Sequence, residues 1–343
     1  MSCGTALMAP GRRRIPAATA ALVLAVTAVL AACAAPPRAA ARLAAATAPV
    51  GLTQVTGFGS NPGGLQMFRY VPATARPDAP LVVVLHGCTQ NAAGFYAGSG
   101  WPKYANAWGF DLVFPQQTLL NNPAACFDWW TPADDSRGSG EAESIRQMIQ
   151  YMQARYSINR SRIYVTGASA GGGLAADLLA DYPDVFAGGA IDSGPAAQCA
   201  AGVLGALGCG LGTVSHTPAQ WGALARAADP GYTGPYPRLA VWQGTADPVV
   251  NVTNATNAME QWTSLWGISQ TPSATRALPG GTTERSYGSP GGPPAVETFL
   301  ISGMGHALAV DPGPAAAQCG RAGPLFAARI CSSYYTAVFW GLP

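Results

Sequence analysis

The segment from Ile163 to Gly173 contains a serine in a context typical of a catalytic nucleophile. Ser169 lies in a G-x-S-x-G sequence between Gly167 and Gly171, after an apolar run that predicts a strand and before residues that predict a helix. In such a sharp strand-to-helix turn, side chains at the two glycine positions would clash, and the serine hydroxyl is lifted clear of the backbone. The following helix amino terminus favours negative charge there. We predict that Ser169 is the nucleophile; the alternative is a glycine-rich turn with an incidental serine.

A serine nucleophile needs a base, and the base needs an acid that orients it. His306 follows a predicted strand at 296–301 and lies among glycines, which suits a base carried on a loop. Asp247 follows a predicted strand at 238–243. The resulting chain order of serine, acid and histidine is that of α/β-hydrolases. We predict a triad of Ser169, Asp247 and His306, although Asp247 taken alone would equally suit a turn or a helix cap.

The chain has two further histidines, and neither is predicted to be the base. His216 lies in a loop before a predicted helix and suits a polar surface role. His86 follows the strand predicted at 81–85, directly before Gly87 and Cys88. This position suits an oxyanion loop, so we predict that the backbone N–H groups of Cys88 and Ala170 stabilise the oxyanion, and that His86 is structural.

The predicted elements that position these residues alternate between strands and helices, which indicates an α/β-hydrolase fold with a mostly parallel central sheet and helices on both faces. A continuous apolar run such as 81–85 is typical of a strand buried on both faces. The helix at 141–156 shows apolar residues at three- and four-residue spacing. The predicted strands are 65–71, 81–85, 111–115, 162–166, 238–243 and 296–301, and the predicted helices are 141–156, 171–182 and 255–266.

Charge argues against nucleic-acid binding. Charged residues make up 10% of the chain, against about 25% in typical soluble domains. The net charge of +2 includes Arg12, Arg13 and Arg14, without which the balance is 16 basic to 17 acidic residues. No basic stripe remains to neutralise phosphates. No residue spacing resembles a zinc site, and we expect neither a metal nor an organic cofactor.

The amino terminus predicts export from a bacterial cell. Three arginines precede an uncharged apolar stretch from Ala17 to Ala32, which is short for a membrane span and ends in small residues. The sequence Leu30-Ala31-Ala32-Cys33 resembles a lipobox, in which Cys33 becomes the lipidated first residue; ordinary cleavage among nearby alanines is the alternative. We therefore expect a signal peptide at 1–33, a flexible Ala/Pro-rich tether at 34–49, a catalytic domain at 50–343, and an extracellular or cell-envelope location.

Six cysteines remain after the leader, an even number that suggests disulfides in an exported protein. Short spacings favour Cys199–Cys209 and Cys319–Cys331 as local loops. Cys88 and Cys126 would then form the remaining pair and brace the oxyanion loop. Six free thiols are the alternative, which is uncommon outside the cytoplasm.

Several of these segments together resemble the extracellular poly(3-hydroxybutyrate) depolymerase family of esterases. They are His86–Gln90, Gly167–Gly171, Gly244–Asp247, Gly303–His306 and the run Ile330-Cys331-Ser332-Ser333-Tyr334-Tyr335, and the resemblance covers about residues 50–343. It implies the same triad, with Cys88 in the oxyanion loop. It also implies a polyester or oligomeric ester as substrate, with no cofactor.

The triad motifs do not separate this branch from related feruloyl and acetylxylan esterases, which remain the alternative. A non-catalytic polymer-binding lipoprotein is a third possibility, against which the intact triad argues. Secreted polymer-degrading members usually carry a substrate-binding domain after the catalytic one, and this sequence stops at Pro343. We therefore expect a preference for amorphous or soluble esters over crystalline polymer. We also expect a monomer. Trp101, Trp129 and Trp130 are candidates for a substrate pocket, with core packing the commoner role of such residues.

Overall fold

The structure is a computed structural model, and it describes residues 51–289 and 291–343. The predicted signal peptide at 1–33 and tether at 34–49 lie outside the described residues.

A ten-stranded sheet forms the centre of the described chain. Its strand order is β1-β2-β4-β3-β5-β6-β7-β10-β9-β8, and the six strands from β4 to β10 in this order pair in parallel. Antiparallel strands flank them at both edges. A separate parallel pair joins β11 and β12. The strands are β1 (Thr53–Val55), β2 (Gln66–Tyr70), β3 (Ala79–Leu85), β4 (Asp111–Gln116), β5 (Ile158–Ala168), β6 (Gly188–Asp192), β7 (Arg238–Gly244), β8 (Ala274–Leu278), β9 (Thr282–Tyr287), β10 (Val296–Ile301), β11 (Leu308–Val310) and β12 (Phe326–Ala328).

Helices connect the parallel strands and cover both faces of the sheet, which confirms the predicted α/β-hydrolase architecture. The α-helices of the described residues are α1 (Ala92–Gly98), α2 (Trp101–Trp108), α3 (Pro132–Asp135), α4 (Gly140–Arg155), α5 (Ala170–Asp181), α6 (Val203–Gly210), α7 (Pro218–Ala228), α8 (Thr253–Trp266) and α9 (Ser332–Trp340). None of the helices within residues 51–289 and 291–343 combines the length and the apolar character that crossing a membrane requires.

The two sides of β3 belong to two different hydrophobic cores. Leu81, Val83 and Leu85 pack in one core with α4, α5 and α8, and Val82 and Val84 pack in the other with α1, α2 and α9. Successive side chains of a strand point to opposite faces, so a strand covered on both faces has to be apolar at every position. This explains the continuous apolar run from which the strand was predicted.

The three predicted disulfides are present. Cys88–Cys126, Cys199–Cys209 and Cys319–Cys331 join Cα atoms that lie 4.1, 6.1 and 5.4 Å apart. The first links the loop after β3 to the segment after β4, the second joins the chain before α6 to the last turn of α6, and the third joins the chain after β11 to the start of α9.

Candidate active site

Ser169 occupies a strained turn between β5 and α5. Its backbone has φ 57° and ψ −120°, in the left-handed half of φ space that non-glycine residues rarely adopt. A Cβ atom at Gly167 would overlap the backbone of Gly171, and one at Gly171 would overlap the carbonyl oxygen of His86. The Ser169 N–H donates to the carbonyl of Asp192 at 2.9 Å, which holds the turn against the end of β6. The turn therefore needs both glycines.

The structure brings Ser169, His306 and Asp247 into one hydrogen-bonded chain, although they are far apart in sequence. His306 Nε2 lies 2.9 Å from Ser169 Oγ, and His306 Nδ1 lies 2.8 Å from Asp247 Oδ2. The three residues follow β5, β10 and β7, whose carboxyl ends meet at one edge of the sheet. With a proton on Nδ1 donated to Asp247, Nε2 is free to accept the serine proton.

Asp247 is buried and remains an acceptor on both oxygens. Burial alone would raise its pKa, but hydrogen bonds from His306 and from the N–H groups of Val249 and Val250 outweigh it and lower the pKa below the ordinary value. The two N–H groups donate to Oδ1 at 2.9 and 2.8 Å. The side chain therefore caps its own turn, as its sequence position suggested, and also reaches His306.

Gln243 is a site residue that the sequence analysis missed. Its Nε2 atom donates to Asp247 Oδ2 at 3.1 Å and lies 2.9 Å from the carbonyl oxygen of Val250. The turn that carries Asp247 is also joined directly to the loop that carries the histidine, because Gly303 N–H donates to Thr245 Oγ1 at 2.9 Å. A glutamine at the end of a buried strand, four residues before the acid, was the available signal.

The loop after β3 lies against Ser169. A Cβ atom at Gly87 would stand 3.4 Å from Ser169 Cβ, so the backbone of this loop passes next to the nucleophile. The N–H groups of Cys88 and Ala170 donate no hydrogen bond to any acceptor among the described residues. Ala170 is the first residue of α5, so its N–H belongs to the free amino-terminal group of the helix. The two N–H groups are available to an oxyanion.

His86 holds this loop and lies outside the hydrogen-bonded chain of Ser169, His306 and Asp247. It is fully buried, and burial lowers its pKa to about 4. Its Nδ1 lies 2.8 Å from the Gly87 carbonyl oxygen, and its Nε2 accepts the Gln117 N–H at 3.1 Å. Because one nitrogen must donate and the other accept, the ring is neutral with its proton on Nδ1. His86 therefore ties the oxyanion loop to the end of β4.

The other candidates from the sequence pack against neighbouring side chains or helices. His216 packs against Trp221 at 4.6 Å between ring centroids, in the loop before α7. Trp101 is a core residue that stacks on Trp340. Trp129 packs where a side chain at Gly173 would otherwise lie. Among residues 51–289 and 291–343, no group of three or more His, Cys, Asp or Glu side chains is arranged to hold a metal ion.

A mostly parallel sheet with this edge chemistry defines a hydrolase of the α/β-hydrolase fold, and its family and relatives make the chain a carboxylic ester hydrolase. Residues 65–286 match the family described as esterase PHB depolymerase, and the chain belongs to that family. Over 292 residues it is 48% identical to poly(3-hydroxyalkanoate) depolymerase C from Paucimonas lemoignei, covering 85% of this chain and 70% of the relative.

Other relatives act on different esters, according to their names. Feruloyl esterase B from Talaromyces stipitatus is 38% identical over 267 residues, which cover 76% of this chain and 73% of the relative. The solved structure of acetyl xylan esterase from Aspergillus awamori superimposes with a TM-score of 0.72 at 24% identity, covering 85% of this chain and 99% of that one. This last likeness supports the fold.

Proposed function

We propose that this enzyme hydrolyses the ester bonds of poly(3-hydroxybutyrate), or of related hydroxyalkanoate oligomers, with Ser169, His306 and Asp247 as its catalytic residues. The observation that carries the proposal is the hydrogen-bonded chain from Ser169 Oγ through His306 to Asp247, in a chain 48% identical to a poly(3-hydroxyalkanoate) depolymerase. The local chemistry suits any acyl ester, and the relative supplies the substrate class.

In the first half of the reaction, Ser169 Oγ attacks the ester carbonyl carbon while its proton moves to His306 Nε2. The carbonyl oxygen becomes an oxyanion, which accepts hydrogen bonds from the N–H groups of Cys88 and Ala170. Asp247 stabilises the imidazolium and keeps it oriented. The bond to the alkoxy oxygen then breaks, and that oxygen takes the proton from Nε2 and leaves as the hydroxyl end of the shortened polyester.

In the second half, water replaces the departed alcohol. His306 Nε2 takes a proton from the water as its oxygen attacks the acyl carbon, and the oxyanion again lies against Cys88 and Ala170. Collapse breaks the bond to Ser169 Oγ, which recovers the proton from Nε2. The products are a carboxylic acid and the free enzyme, so the cycle needs no cofactor.

Side-by-side initial rates test the substrate class. The substrates are amorphous poly(3-hydroxybutyrate), soluble hydroxybutyrate oligomers, methyl ferulate and acetylated xylan, each with Ser169→Ala as the blank. Turnover of the hydroxybutyrate esters above the other two supports the proposal. An enzyme that binds polymer but turns over none of the four, nor a short chromogenic ester, would instead be a binding protein.

A feruloyl or acetylxylan esterase is the second candidate, because a feruloyl esterase B is 38% identical over 76% of this chain. The same triad would serve this reaction, with a phenolic acyl group or an acetyl group in place of the hydroxyacyl group. Turnover of methyl ferulate or acetylated xylan faster than any hydroxybutyrate ester would assign the enzyme to this candidate.

We also propose that the protein is exported and lipid-anchored through Cys33, and that it acts as a monomer. The leader sequence and the disulfides support export, since disulfides persist in oxidising compartments. Several acyl chains on Cys33 would hold the enzyme firmly at a membrane. Mass spectrometry of the amino-terminal peptide tests the anchor, and an unmodified amino terminus after Cys33 would mean an ordinary secreted enzyme.

A further inference from the structure

Two segments of the described chain expose aliphatic side chains where polar residues are the norm. In the loop after β4, Leu119 is 69% exposed and Leu120 is 98% exposed. On and just after α6, Val203, Leu204 and Leu211 are 58%, 71% and 50% exposed. A surface helix normally turns polar residues outward, whereas α6 contains no charged or hydroxyl side chain. We call Leu119–Leu120 the first ridge, and Val203, Leu204 and Leu211 the second ridge.

The topology places the ridges on opposite sides of the nucleophile. Ser169 follows β5, the first ridge follows β4, and the second ridge belongs to the connection that follows β6. The sheet order β4-β3-β5-β6 puts β4 on one side of β5 and β6 on the other, with all four strands parallel. Their carboxyl ends share one edge, so both ridges emerge at the edge that carries Ser169.

The second ridge is held at both ends, and one of these contacts reaches the loop of Asp247. Gly202 N–H donates to the carbonyl oxygen of Trp130 at 2.6 Å, just before α6. At the other end, Asn251 N–H donates to the carbonyl oxygen of Gly210 at 2.8 Å, and Asn251 lies in the loop that carries Asp247. The Cys199–Cys209 disulfide closes this segment covalently.

The first ridge is held in a similar way. Asn121 Nδ2 donates to the carbonyl oxygen of Gly63 at 2.7 Å. Gln117 N–H donates to His86 Nε2, which joins the start of this loop to the oxyanion loop. Both ridges are therefore attached to the segments that carry the candidate catalytic groups.

Charged side chains are absent from the sequence around both ridges. No Asp, Glu, Lys or Arg occurs between Asp111 and Asp128, or between Asp192 and Arg226. An uncharged aliphatic surface matches an uncharged aliphatic polyester, because no ionised group loses its hydration when the two meet. A polysaccharide fits less well, since its hydroxyl groups would be left without hydrogen-bond partners against leucine and valine.

We propose that the two ridges form a docking surface for hydroxyalkanoate polyester, which adsorbs across them with an ester group above Ser169. The inference rests on the proposed function, and the two ridges are the surface that brings solid or chain-like substrate to Ser169. Exposed apolar patches are typical of interaction sites.

Adsorption and film hydrolysis test the docking surface. The variants are Val203→Ser with Leu204→Ser, and Leu119→Ser with Leu120→Ser. Val338→Ser is the matched control, because Val338 is an exposed aliphatic residue (45%) that belongs to neither ridge. It lies near the end of α9. Just after this helix, the carbonyl oxygen of Gly341 accepts a hydrogen bond from Arg162, which is in the earlier half of β5 and not at the end that precedes Ser169. Binding isotherms on amorphous poly(3-hydroxybutyrate) particles are measured in the Ser169→Ala background, and film erosion and soluble-ester hydrolysis in the active enzyme.

We expect each of the two double serine variants to adsorb about tenfold more weakly than the wild type, because the substitutions remove aliphatic area from the contact with the polymer. Film erosion should fall about tenfold more than turnover of a soluble short ester. Val338→Ser should adsorb like the wild type. Circular dichroism and thermal unfolding verify that the variants are folded.

Three results would overturn the inference. The first is adsorption of the ridge variants that is no weaker than that of Val338→Ser. The second is an equal fall in film erosion and in soluble turnover. The third is a wild type that sediments as a dimer and is dissociated by the ridge substitutions, which would make the ridges a contact between copies. A wild type that is inactive on soluble hydroxybutyrate esters would refute the proposed function. Normal activity on soluble esters, together with ridge variants that adsorb like the wild type, would refute the docking surface alone.

Discussion

Replacing Asp247 by asparagine tests the assignment of the triad through the direction of one hydrogen bond. Asp247 Oδ1 accepts two backbone N–H groups, from Val249 and Val250, so the amide oxygen of the asparagine has to occupy that position. The amide NH2 group then replaces Oδ2. It faces His306 Nδ1 at 2.8 Å and the Gln243 Nε2 donor at 3.1 Å. A donor therefore stands where both neighbours need an acceptor.

The substitution changes which nitrogen of His306 carries the proton. Nδ1 becomes an acceptor for the asparagine, so the proton moves to Nε2 and points at Ser169 Oγ, 2.9 Å away. A protonated Nε2 in a neutral ring cannot take the serine proton. In a serine protease triad this change lowers kcat about 10⁴-fold, which corresponds to about 5.5 kcal/mol of activation free energy. We expect a loss of about that size for Asp247→Asn, with little change in size or packing.

The assay is kcat and kcat/KM on a soluble short-chain chromogenic ester, together with the midpoint of thermal unfolding. Asp78→Asn is the matched control, because Asp78 is exposed and its carboxylate contacts only the distant Asn159 side chain. It should keep wild-type turnover. If Asp247→Asn folds normally and retains activity within about tenfold of the wild type, the tautomer argument is wrong.

Three further changes have definite expected outcomes. Ser169→Ala should keep the fold and lower turnover by up to about a million-fold, and wild-type ester turnover in this variant would exclude Ser169 as the nucleophile. Replacing Cys88 and Cys126 together by serine should lower kcat on the short ester, because their disulfide holds the loop that supplies the Cys88 N–H. The measurement is made at temperatures where circular dichroism still shows a folded protein. An unchanged kcat would contradict this bracing role. Burial raises the pKa of Asp135 to about 7. Between about pH 4 and 7 the folded protein therefore keeps a proton on this carboxyl group that the unfolded chain has released. The contribution of Asp135 to the free energy of unfolding accordingly falls as the pH rises through this range. Urea unfolding at pH 5 and pH 8 should therefore show a smaller loss of stability for Asp135→Asn than for the wild type, and equal losses would refute the shift.

The main elements of the site could be predicted because each follows a strand with a clear pattern. Ser169, Asp247 and His306 come after strands that are buried on both faces, and such strands are apolar at nearly every position. The carboxyl ends of parallel strands share an edge, so the sequence pattern alone was enough to expect these side chains together.

Other elements have no such pattern. The strand β6 begins Gly188-Gly189, which propensity disfavours in a sheet. The structure explains both glycines, since Cβ atoms there would press on Trp340 and Leu179 from opposite faces. These contacts arise only after the helices have packed, so no local signal records them. The antiparallel pair β8 and β9 was missed as well, because the exposed edge strand lacks an apolar run.

The exposed leucines were also beyond the reach of the sequence. The chain is 49% hydrophobic, and composition does not tell which of those residues lie on the surface. The segment Val203–Gly210 is short and rich in glycine, so an apolar run there is as compatible with a buried element as with an exposed helix. Its exposure follows from where the connection after β6 crosses the edge of the sheet.

The residues of the proposed triad come from distant parts of the chain. His306 reaches Ser169 across 137 residues, and its loop follows β10, which pairs with β7 and not with the strand of the nucleophile. A chain folded only as far as β7 would have the strained serine turn but no base. The segment directly after the histidine is then fixed by the Cys319–Cys331 disulfide. Ester hydrolysis through the proposed triad therefore requires the loop after β10 as well as the serine turn after β5.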